Sequence, residues 1–342
     1  MNSINLYDGI TLHQGDCRDI MRTYPDQHFD AVITDPPYGI SIEGQKWDTA
    51  TPHGVQAWAQ SWGEEALRIL KPGGYMLAFS ATRTYHRLTS GLEDAGFEIR
   101  DAMAWIRADG KPAGMDLSSA FDRDAGVLDQ REGREVEQWD TNKSAFAMAS
   151  DNVRAAGAPI TDDAKAWEGW GVGLKPAWEP IVVARRPFEG RLIDNVRAHG
   201  TGAMNIRAGM DAVGGSYPPN LLMGEQAMAA AVEQGAPDHV WPVFRYQPKA
   251  PTSERPKVGG VQHVTVKPLE LMRYLIRLVV RPGSLILEPF AGSGTTLQAA
   301  AMENTRAVGC ELDDRYIPLI KERFKHGIEA PLDLFALGGD AA

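Results

Sequence analysis

Two short stretches of this sequence combine an acidic residue with a turn that could hold a ligand. Asp35 ends the apolar run of FDAVITDPPYG at 29–39, and Glu288 ends the apolar run of LILEPFAGSGTT at 285–296. In open parallel sheets, ligands bind beyond the carboxyl ends of the strands. The Pro-Pro-Tyr turn could seat a planar base, and the Gly-rich turn could seat a nucleotide-like cofactor. We therefore expect the two turns to form two halves of one pocket.

The Pro-Pro-Tyr turn offers hydrogen-bond acceptors and an aromatic face. Pro36 and Pro37 stiffen the loop and remove two N–H donors, so that the carbonyls of Asp35 and Pro36 remain as acceptors. An amino group with two hydrogens needs two acceptors, which a carboxylate and a carbonyl would supply. Tyr38 would stack on a flat ring. A bare Pro-Pro-Tyr is more often a rigid turn, but the Asp, the apolar strand and the late Gly-rich turn favour the functional interpretation.

The Gly-rich turn suits a nucleoside-bearing ligand that lacks a pyrophosphate. Gly292 and Gly294 let the backbone approach a ligand, and Thr295 opens a helix whose first N–H groups can bind it. No Lys follows the last Gly, as it would in a P-loop, and Leu297 stands where a dinucleotide-binding pattern has its third Gly. Glu311, at the end of the next predicted strand, is placed like the carboxylates that bind ribose hydroxyls. A Gly-rich turn by itself often serves only tight packing.

Composition and charge limit the class of protein. The 342 residues can bury a sizeable core, they contain no apolar run of membrane-spanning length, and the first residues lack the pattern of a signal peptide. We expect Cys17 and Cys310 to be buried thiols, and we expect no metal site. The net charge of −10 argues against a nucleic-acid binder, yet residues 241–281 hold eight basic and two acidic residues. That segment is either a solvated face or a groove for a polyanion.

Strands alternate with helices at both ends of the chain, which predicts an α/β fold with a mostly parallel sheet. The predicted strands are 10–13, 29–34, 75–80, 97–106, 179–184, 284–287 and 306–310. The predicted helices are 19–23, 53–70, 82–95, 268–280, 295–304 and 314–324, with Lys-Pro-Gly-Gly at 71–74 as a stop. Apart from the strand at 179–184, residues 109–262 are predicted to be irregular and to carry specificity, with a polar, mobile stretch at 127–165.

These residues, in this order, resemble the S-adenosylmethionine-dependent DNA amino-methyltransferases, which methylate adenine N6 or cytosine N4. DPPY is similar to their catalytic signature and FAGSG at 290–294 to their cofactor motif, and the order is similar to that of the circularly permuted beta group. Further similar segments are Gly15-Asp16, HVTVKPL at 263–269, and the phage- and prophage-type stretches 173–187, 199–206, 217–222 and 244–255. Glu288 stands where the family more often has Asp. The resemblance covers most of residues 5–325 and is weakest at 127–165.

The resemblance implies a Rossmann-like methyltransferase fold, with a mostly parallel twisted sheet flanked by helices. The catalytic core would comprise residues 1–108, 174–187 and 263–326. The inserted target-recognition region would comprise 109–173 and 188–262, and 327–342 would form a tail.

The resemblance also implies roles for the residues of the pocket. Asp35, Pro36, Pro37 and Tyr38 are the expected catalytic residues: Tyr38 stacks on a base flipped out of the duplex, while the Asp35 carboxylate and the Pro36 carbonyl hold its amine. The amine attacks the methyl group directly, so neither cysteine is needed as a nucleophile. The expected cofactor residues are Asp16 for the adenine amine, Glu311 for the ribose, and Glu288, Phe290, Gly292, Gly294, Thr295, His263 and Lys267. Arg245, Lys249 and Arg255 are candidates for phosphate contacts.

The implied substrate is double-stranded DNA, and DPPY favours N6-adenine because SPPY mostly accompanies N4-cytosine in this family. A cognate restriction endonuclease and a homodimer are the further partners considered, and the expected location is the cytoplasm of a bacterium or of a phage-infected cell. Three alternatives remain open: an N4-cytosine methyltransferase, an RNA base methyltransferase, and a DNA-binding protein that has lost catalysis. Intact Asp35, Tyr38 and FAGSG argue against the last.

Overall fold

The computed structural model describes residues 2–40, 48, 52–106, 114–131, 157–174, 177–207, 217–223, 250–325 and 328. Strands β1 to β11 are, in chain order, Asn2–Tyr7, Ile10–Gln14, Phe29–Thr34, Leu70–Phe79, Glu98–Ile106, Trp178–Arg185, Leu221–Met223, Lys257–Val258, Val261–Gln262, Leu285–Glu288 and Arg306–Glu311. Helices α1 to α9 are Cys17–Met21, Pro52–Ile69, Tyr85–Asp94, Leu117–Asp124, Asp162–Ala166, Leu192–His199, Leu269–Val279, Thr295–Met302 and Ile317–Phe324.

Nine of these strands form one sheet, in the order β1-β2-β11-β10-β3-β4-β6-β5-β7. Neighbouring strands are parallel except at β1–β2, β4–β6 and β6–β5. The predicted α/β class with a mostly parallel sheet is therefore confirmed. Strands β8 and β9 form a separate two-stranded ribbon.

The side chains of the central strands alternate between two apolar layers. Along β3, Ala31 and Ile33 pack in the layer that includes helices α7, α8 and α9, whereas Phe29 and Val32 pack in the layer of α1, α2 and α3. All six residues of β3 are buried, which is the pattern of a strand covered on both faces of a parallel sheet. Helices thus cover the sheet on both sides.

The two halves of the chain meet between β3 and β10. These strands are parallel neighbours, with Ile286 opposite Ala31 and Leu287 opposite Val32, so that their carboxyl ends lie at the same edge of the sheet. The helix that follows β3 covers one face, and the helix that follows β10 covers the other. Such a reversal in winding opens a crevice at the strand ends, and ligands of open α/β sheets bind there.

The structure differs from the predicted elements in several places. Helix α2 stops before residue 71, as predicted, but β4 already begins at Leu70. Residues 71–74 therefore belong to the strand, in which Gly73 takes a left-handed φ of 80°. Strand β1, helix α6 and strand β7 were not predicted. Strand β7 pairs with β5 although it lies within 188–262, so part of this range belongs to the sheet. The proposed division into core, inserted region and tail otherwise stays a prediction.

The described part of residues 109–173 is more regular than its composition predicts. Helices α4 and α5 are joined by the buried carboxylate of Asp122, which pairs with Arg131 at 2.7 Å and accepts from the N–H groups of Ile160 and Thr161. Backbone donors and a cation around one carboxylate fix the two segments against each other. The predicted mobile stretch, 127–165, lies largely outside the described residues. Among the helices that the structure describes, none has the length and apolar character needed to cross a membrane.

Candidate active site

The turns after β3 and β10 line one cavity of about 630 Å³. The cavity is lined by Trp58 of α2 and by residues of the segments 15–18, 35–38, 263–267, 288–296 and 310–316. The structure thus brings together the two turns that the sequence places far apart in the chain. A crevice of this size, with a few polar groups on a partly apolar wall, is typical of a small-molecule site.

Asp35 is held from two sides at the first turn. Its Oδ1 accepts from the Tyr38 hydroxyl at 2.6 Å, and its Oδ2 accepts from Lys267 Nζ at 2.5 Å. Lys267 also donates to the Tyr38 oxygen at 3.0 Å. A charge-assisted bond to an almost buried ammonium fixes the carboxylate more firmly than a neutral donor would.

A second carboxylate, that of Glu179, completes this cluster. It lies 3.5 Å from Lys267 Nζ and accepts from the Tyr38 hydroxyl at 3.3 Å. Glu179 stands near the start of β6, which runs antiparallel, so it lies beside the carboxyl end of β4, where Ser80 N donates to the Pro180 carbonyl. The Lys267 ammonium also lies 4.8 Å from the ring centre of Phe79, at a distance that suits a cation–π contact. Two acids and one cation therefore share a largely buried space.

The end of the Pro-Pro-Tyr turn is fixed by two side chains. The buried carboxylate of Asp48 accepts from the N–H groups of Gly39 and Ile40, at 2.6 and 3.2 Å. Arg83 donates to the carbonyl of Ile40 at 2.7 Å. These bonds satisfy backbone groups that the turn leaves without partners in the sheet, so the turn is pre-organised.

Glu288, at the second turn, is held by neutral donors. Its carboxylate accepts from the hydroxyls of Thr34 and Thr296, at 2.5 and 2.6 Å, and from the N–H of Phe290 at 3.1 Å. The residue is 1% exposed, and none of the ion pairs among the described residues involves it. Burial therefore raises the pKa of the Glu288 carboxyl to about 8.

Glu311 ends β11 and ties the Gly-rich turn to the next loop. It accepts from the N–H of Gly292 at 2.7 Å and from that of Asp313 at 2.8 Å. Burial raises the pKa of this carboxyl to about 7, although both backbone bonds oppose the rise. Gly292 takes a φ of 53°, and a Cβ there would lie 3.0 Å from His263 Nε2, so the position requires glycine.

His263 is a neutral ring at this wall. Its Nδ1 lies 2.6 Å from the carbonyl of Thr265, and its ring meets that of Tyr316 edge-on at 4.5 Å. Burial lowers the pKa of the imidazole to about 4, so it carries no charge near neutral pH. The N–H of Thr265 also lies 3.3 Å from Nδ1, so both polar groups of the Thr265 backbone contact this ring nitrogen.

The far wall combines an acid with aromatic rings. Asp16 caps α1 and accepts from Arg18 through both carboxylate oxygens, which lowers the pKa of Asp16. The Phe290 ring lies 5.4 Å from the ring centres of both Trp58 and Trp62. A flat apolar wall next to a polar edge is suited to an aromatic ligand.

The family of this chain follows from a match that spans most of its length. Residues 29–322 match a family described as DNA methylase, and the name of that family contains both N6 and N4. The chain belongs to this DNA methylase family. This match confirms the resemblance described above. Methylases of the family use S-adenosylmethionine as methyl donor. The family covers both adenine N6 and cytosine N4 as targets.

Two known proteins illustrate the similarity. The type II methyltransferase M.HindIII of Haemophilus influenzae is 29% identical over 267 residues, which cover 77% of this chain and 67% of that protein. The solved structure of the PvuII DNA methyltransferase, titled cytosine-N4-specific, has a TM-score of 0.52 at 16% identity and covers 92% of this chain and 86% of that one. This second likeness shows the fold of the methylase.

The residues of the methylase cavity fit S-adenosylmethionine. Asp16 and Glu311 offer acceptors for amine and hydroxyl groups, and Phe290 and Trp58 offer apolar faces. Gly292 removes a side chain where the backbone turns closely against His263. The described residues hold no cluster of metal ligands.

Most of the predicted site residues line this cavity. Those that do are Asp16, Asp35, Pro36, Pro37, Tyr38, His263, Lys267, Glu288, Phe290, Gly292, Thr295 and Glu311. Gly294 lies behind the wall at a φ of 82°, where a Cβ would come within 2.9 Å of Ile320. Lys267, predicted with the cofactor residues, contacts Asp35 and Tyr38 at the other turn. Arg255 donates to the carbonyl of Ala250 at 2.9 Å, whereas Arg245 and Lys249 lie outside the described residues.

Sequence reasoning missed several residues of the site, above all Glu179, Thr34, Arg18 and Arg323. Glu179 had one available signal, an acid at the first position of a predicted apolar strand. Both cysteines are buried as expected, and burial raises the pKa of Cys17 to about 12 and that of Cys310 well above its ordinary value. Thiols in this state are poor nucleophiles.

Proposed function

We propose that this methylase transfers a methyl group from S-adenosylmethionine to the N6 amine of an adenine flipped out of duplex DNA. The observation that carries the proposal is the single cavity lined both by Asp35 and by the Gly-rich turn. Asp35, which can accept from an amine, and the Gly-rich turn, which can bind a nucleoside, therefore line the same cavity. Family membership supplies the reaction class, and the residue roles below are our assignment.

The second turn and its neighbours hold the cofactor in this proposal. Asp16 accepts from its adenine amine, and Glu311 accepts from the ribose hydroxyls. The methionine side lies against Phe290, Gly292 and Thr295, while Glu288 shapes the turn and Gly294 lets it pack. When bound, the cofactor supplies an electrophilic methyl group. The chain contributes orientation and excludes water, and a large part of the barrier can be removed by such positioning.

The first turn holds the target amine. Asp35 and the carbonyl of Pro36 accept its two hydrogens, and Tyr38 stacks on the base. Each oxygen of Asp35 already accepts one bond, but a carboxylate has about four acceptor positions, so the amine can join Tyr38 and Lys267 there. The amine nitrogen needs no covalent enzyme intermediate. Acceptors placed before the reaction draw electron density toward the nitrogen without reorganising.

Adenine is proposed as the target because DPPY accompanies N6-adenine more often than N4-cytosine. Both bases present the same kind of amine, so the cavity chemistry suits either. N4-cytosine is the alternative target, and the likeness to the PvuII enzyme agrees with both because it shows only the fold.

The wider assignments belong to the same proposal. The inserted residues read the DNA sequence, and Arg255, together with Arg245 and Lys249, contacts phosphates. A restriction endonuclease of matching specificity and a second copy of the chain are the expected protein partners. The expected location is the cytoplasm, where the DNA substrate of a bacterium or a phage is found.

Mass spectrometry of methylated nucleic acid tests the proposal. Purified protein, S-adenosylmethionine and duplex DNA are incubated, the DNA is digested to nucleosides, and structural RNA serves as a parallel substrate. We expect N6-methyladenine in DNA and none with Asp35→Ala. N4-methylcytosine alone would replace the adenine assignment, and methyl transfer to RNA alone would replace the substrate. Equal, negligible transfer by both proteins with intact DNA binding would instead indicate a DNA-binding protein without catalysis.

A further inference from the structure

Arg323 of α9 lies behind the Gly-rich turn and donates hydrogen bonds to its backbone and side chains. Its Nε donates to the Ser293 carbonyl at 2.5 Å, and its Nη2 donates to the hydroxyls of Thr295 and Ser293 at 3.0 and 3.2 Å. Further bonds reach the Gln298 side chain and the Glu254 carbonyl, at 2.8 and 2.7 Å. One guanidinium thus connects the turn, helix α8 and the segment before β8.

All five acceptors of Arg323 are neutral. None of the ion pairs among the described residues includes it, and burial lowers the pKa of its guanidinium to about 10. The carboxylate of Glu254 acts on it through its charge but accepts from the N–H of Leu269 instead. Arg273, by contrast, donates to the carboxylates of Glu303 and Glu270 at 2.6 and 2.7 Å. Neutral acceptors therefore solvate the charge of Arg323, and no described carboxylate forms a direct ion pair with it.

The lysine and arginines that line the described cavity wall are, unlike Arg323 behind it, paired with acids. Arg18 pairs with Asp16 at 2.7 Å, Arg315 with Asp313 at 2.6 Å, and Lys267 with Asp35. Ser293 and Thr295 line the cavity and accept hydrogen bonds from Arg323. Their polarised hydroxyls therefore extend the positive potential of Arg323 into the cavity. The N-terminus of α8 begins at Thr295 and adds its own partial positive charge at this place.

We propose that Arg323 is a positioning residue. It strengthens the binding of the carboxylate of the methionine portion of S-adenosylmethionine at the Gly-rich turn. This inference rests on the proposed cofactor site. The carboxylate is the anionic group of that cofactor at neutral pH, whereas its amino and sulfonium groups are cations. Arg323 acts through the hydroxyls and the backbone of the turn, which it orients, and not through a step of the reaction.

Decarboxylated S-adenosylmethionine separates this role from a merely structural one, because it lacks only the carboxylate. Calorimetry would measure the Kd of both ligands for the wild type, Arg323→Met, Arg323→Lys and Arg273→Met. We expect the wild type to prefer S-adenosylmethionine, and Arg323→Met to lose about tenfold in its affinity while losing less than about threefold for the decarboxylated ligand. Arg323→Lys keeps the charge, so the ratio of the two affinities stays near that of the wild type even if both fall.

Arg273→Met is the matched control, because it removes a partly buried arginine whose charge is already compensated by Glu303 and Glu270. We expect it to lower stability and to leave the affinity ratio unchanged. Equal losses for both ligands in Arg323→Met would overturn the proposal and assign Arg323 to the shape of the turn. If Arg323→Met does not fold, Arg323→Lys decides: a ratio that collapses despite the retained charge contradicts the proposal. A wild type that binds neither ligand removes the cofactor assignment, and the role of Arg323 falls with it.

Discussion

The two turns of the cavity stabilise their buried acids differently, the first with a cation and the second with neutral hydrogen-bond donors. At the first turn, Asp35 and Glu179 share the ammonium of Lys267. At the second, Glu288 and Glu311 are held by hydroxyl and N–H groups alone, and burial raises their pKa values to about 8 and 7. The first arrangement places a fixed charge pair at the proposed target amine. The second leaves carboxyls that change charge near neutral pH beneath the proposed cofactor.

The second turn can therefore change its protonation state with less effect on the geometry of the cavity than the first turn can. A cation holds the negative charges of the first turn in place, and removing it exposes two acids to each other. The second turn keeps its geometry through hydroxyl and N–H donors, which bind either a carboxylate or the neutral acid. The following substitutions test this contrast.

Lys267→Met should have the largest effect on stability. It leaves Asp35 and Glu179 buried without their cation, and breaking a buried pair in this way costs about 3–5 kcal/mol. We expect the free energy of unfolding in urea to fall by about that amount, together with methyl transfer. Arg185→Met is the matched control, because its pair with Glu98 is partly exposed, with 39% of the Glu98 side chain accessible. A loss for Lys267→Met no larger than for this control would contradict the contrast.

Glu288→Gln should change the pH dependence of stability. The pKa of the Glu288 carboxyl is about 8 in the folded chain against 4.5 without the fold. Its contribution to stability is therefore complete below about pH 4.5 and is lost as the pH rises through about 8. Since Gln cannot ionise, the stability of the wild type relative to Glu288→Gln should decrease with pH over this window, by on the order of a few kcal/mol.

Asp122→Asn serves as the control for that titration. Asp122 is equally buried, but its bonds to Thr161, Ile160 and Arg131 lower the pKa of its carboxyl, so the carboxylate stays ionised over this window. The difference between wild type and Asp122→Asn should stay constant from pH 5 to 8. A constant difference for Glu288→Gln as well would show that Glu288 does not titrate near neutral pH.

Arg255→Gln should have the smallest effect, and it concerns DNA and not the cavity. If Arg255 contacts a phosphate, the slope of log affinity against log salt should fall by about 1, uniformly across DNA sequences. Fluorescence anisotropy at several salt concentrations measures the slope. Arg306→Gln is the control, because Arg306 begins β11 at the sheet edge opposite the cavity. An unchanged slope for Arg255→Gln removes this residue from the DNA contacts.

The sequence alone was sufficient to predict seven strands of the sheet and the two turns, because their signals are local, whereas β1 and β7 were missed. Apolar runs that end at Asp35 and Glu288 mark strand ends, and glycine and proline mark the turns. The meeting of the turns also followed, because parallel strands align their carboxyl ends.

The partners of the buried charges could not be predicted in the same way. Lys267 was expected with the cofactor residues, yet its ammonium contacts Asp35 and Glu179. The contact with Glu179 depends on the antiparallel insertion of β6 beside β4, and hydrophobic periodicity does not determine strand order. Arg323 was missed for a similar reason, because its acceptors are mostly backbone and hydroxyl oxygens that leave no charge pattern in the sequence.

The direct test of the division between the turns is a crossed measurement on Asp35→Asn and Glu311→Gln. Calorimetry gives the Kd for S-adenosylmethionine, and a single-turnover assay at saturating cofactor gives the rate of methyl transfer to DNA. We expect Asp35→Asn to keep the Kd and to lose at least about 10²-fold in rate. We expect Glu311→Gln to weaken the Kd and to keep most of the rate. Loss of both quantities in both variants, or the reverse assignment, would contradict the account.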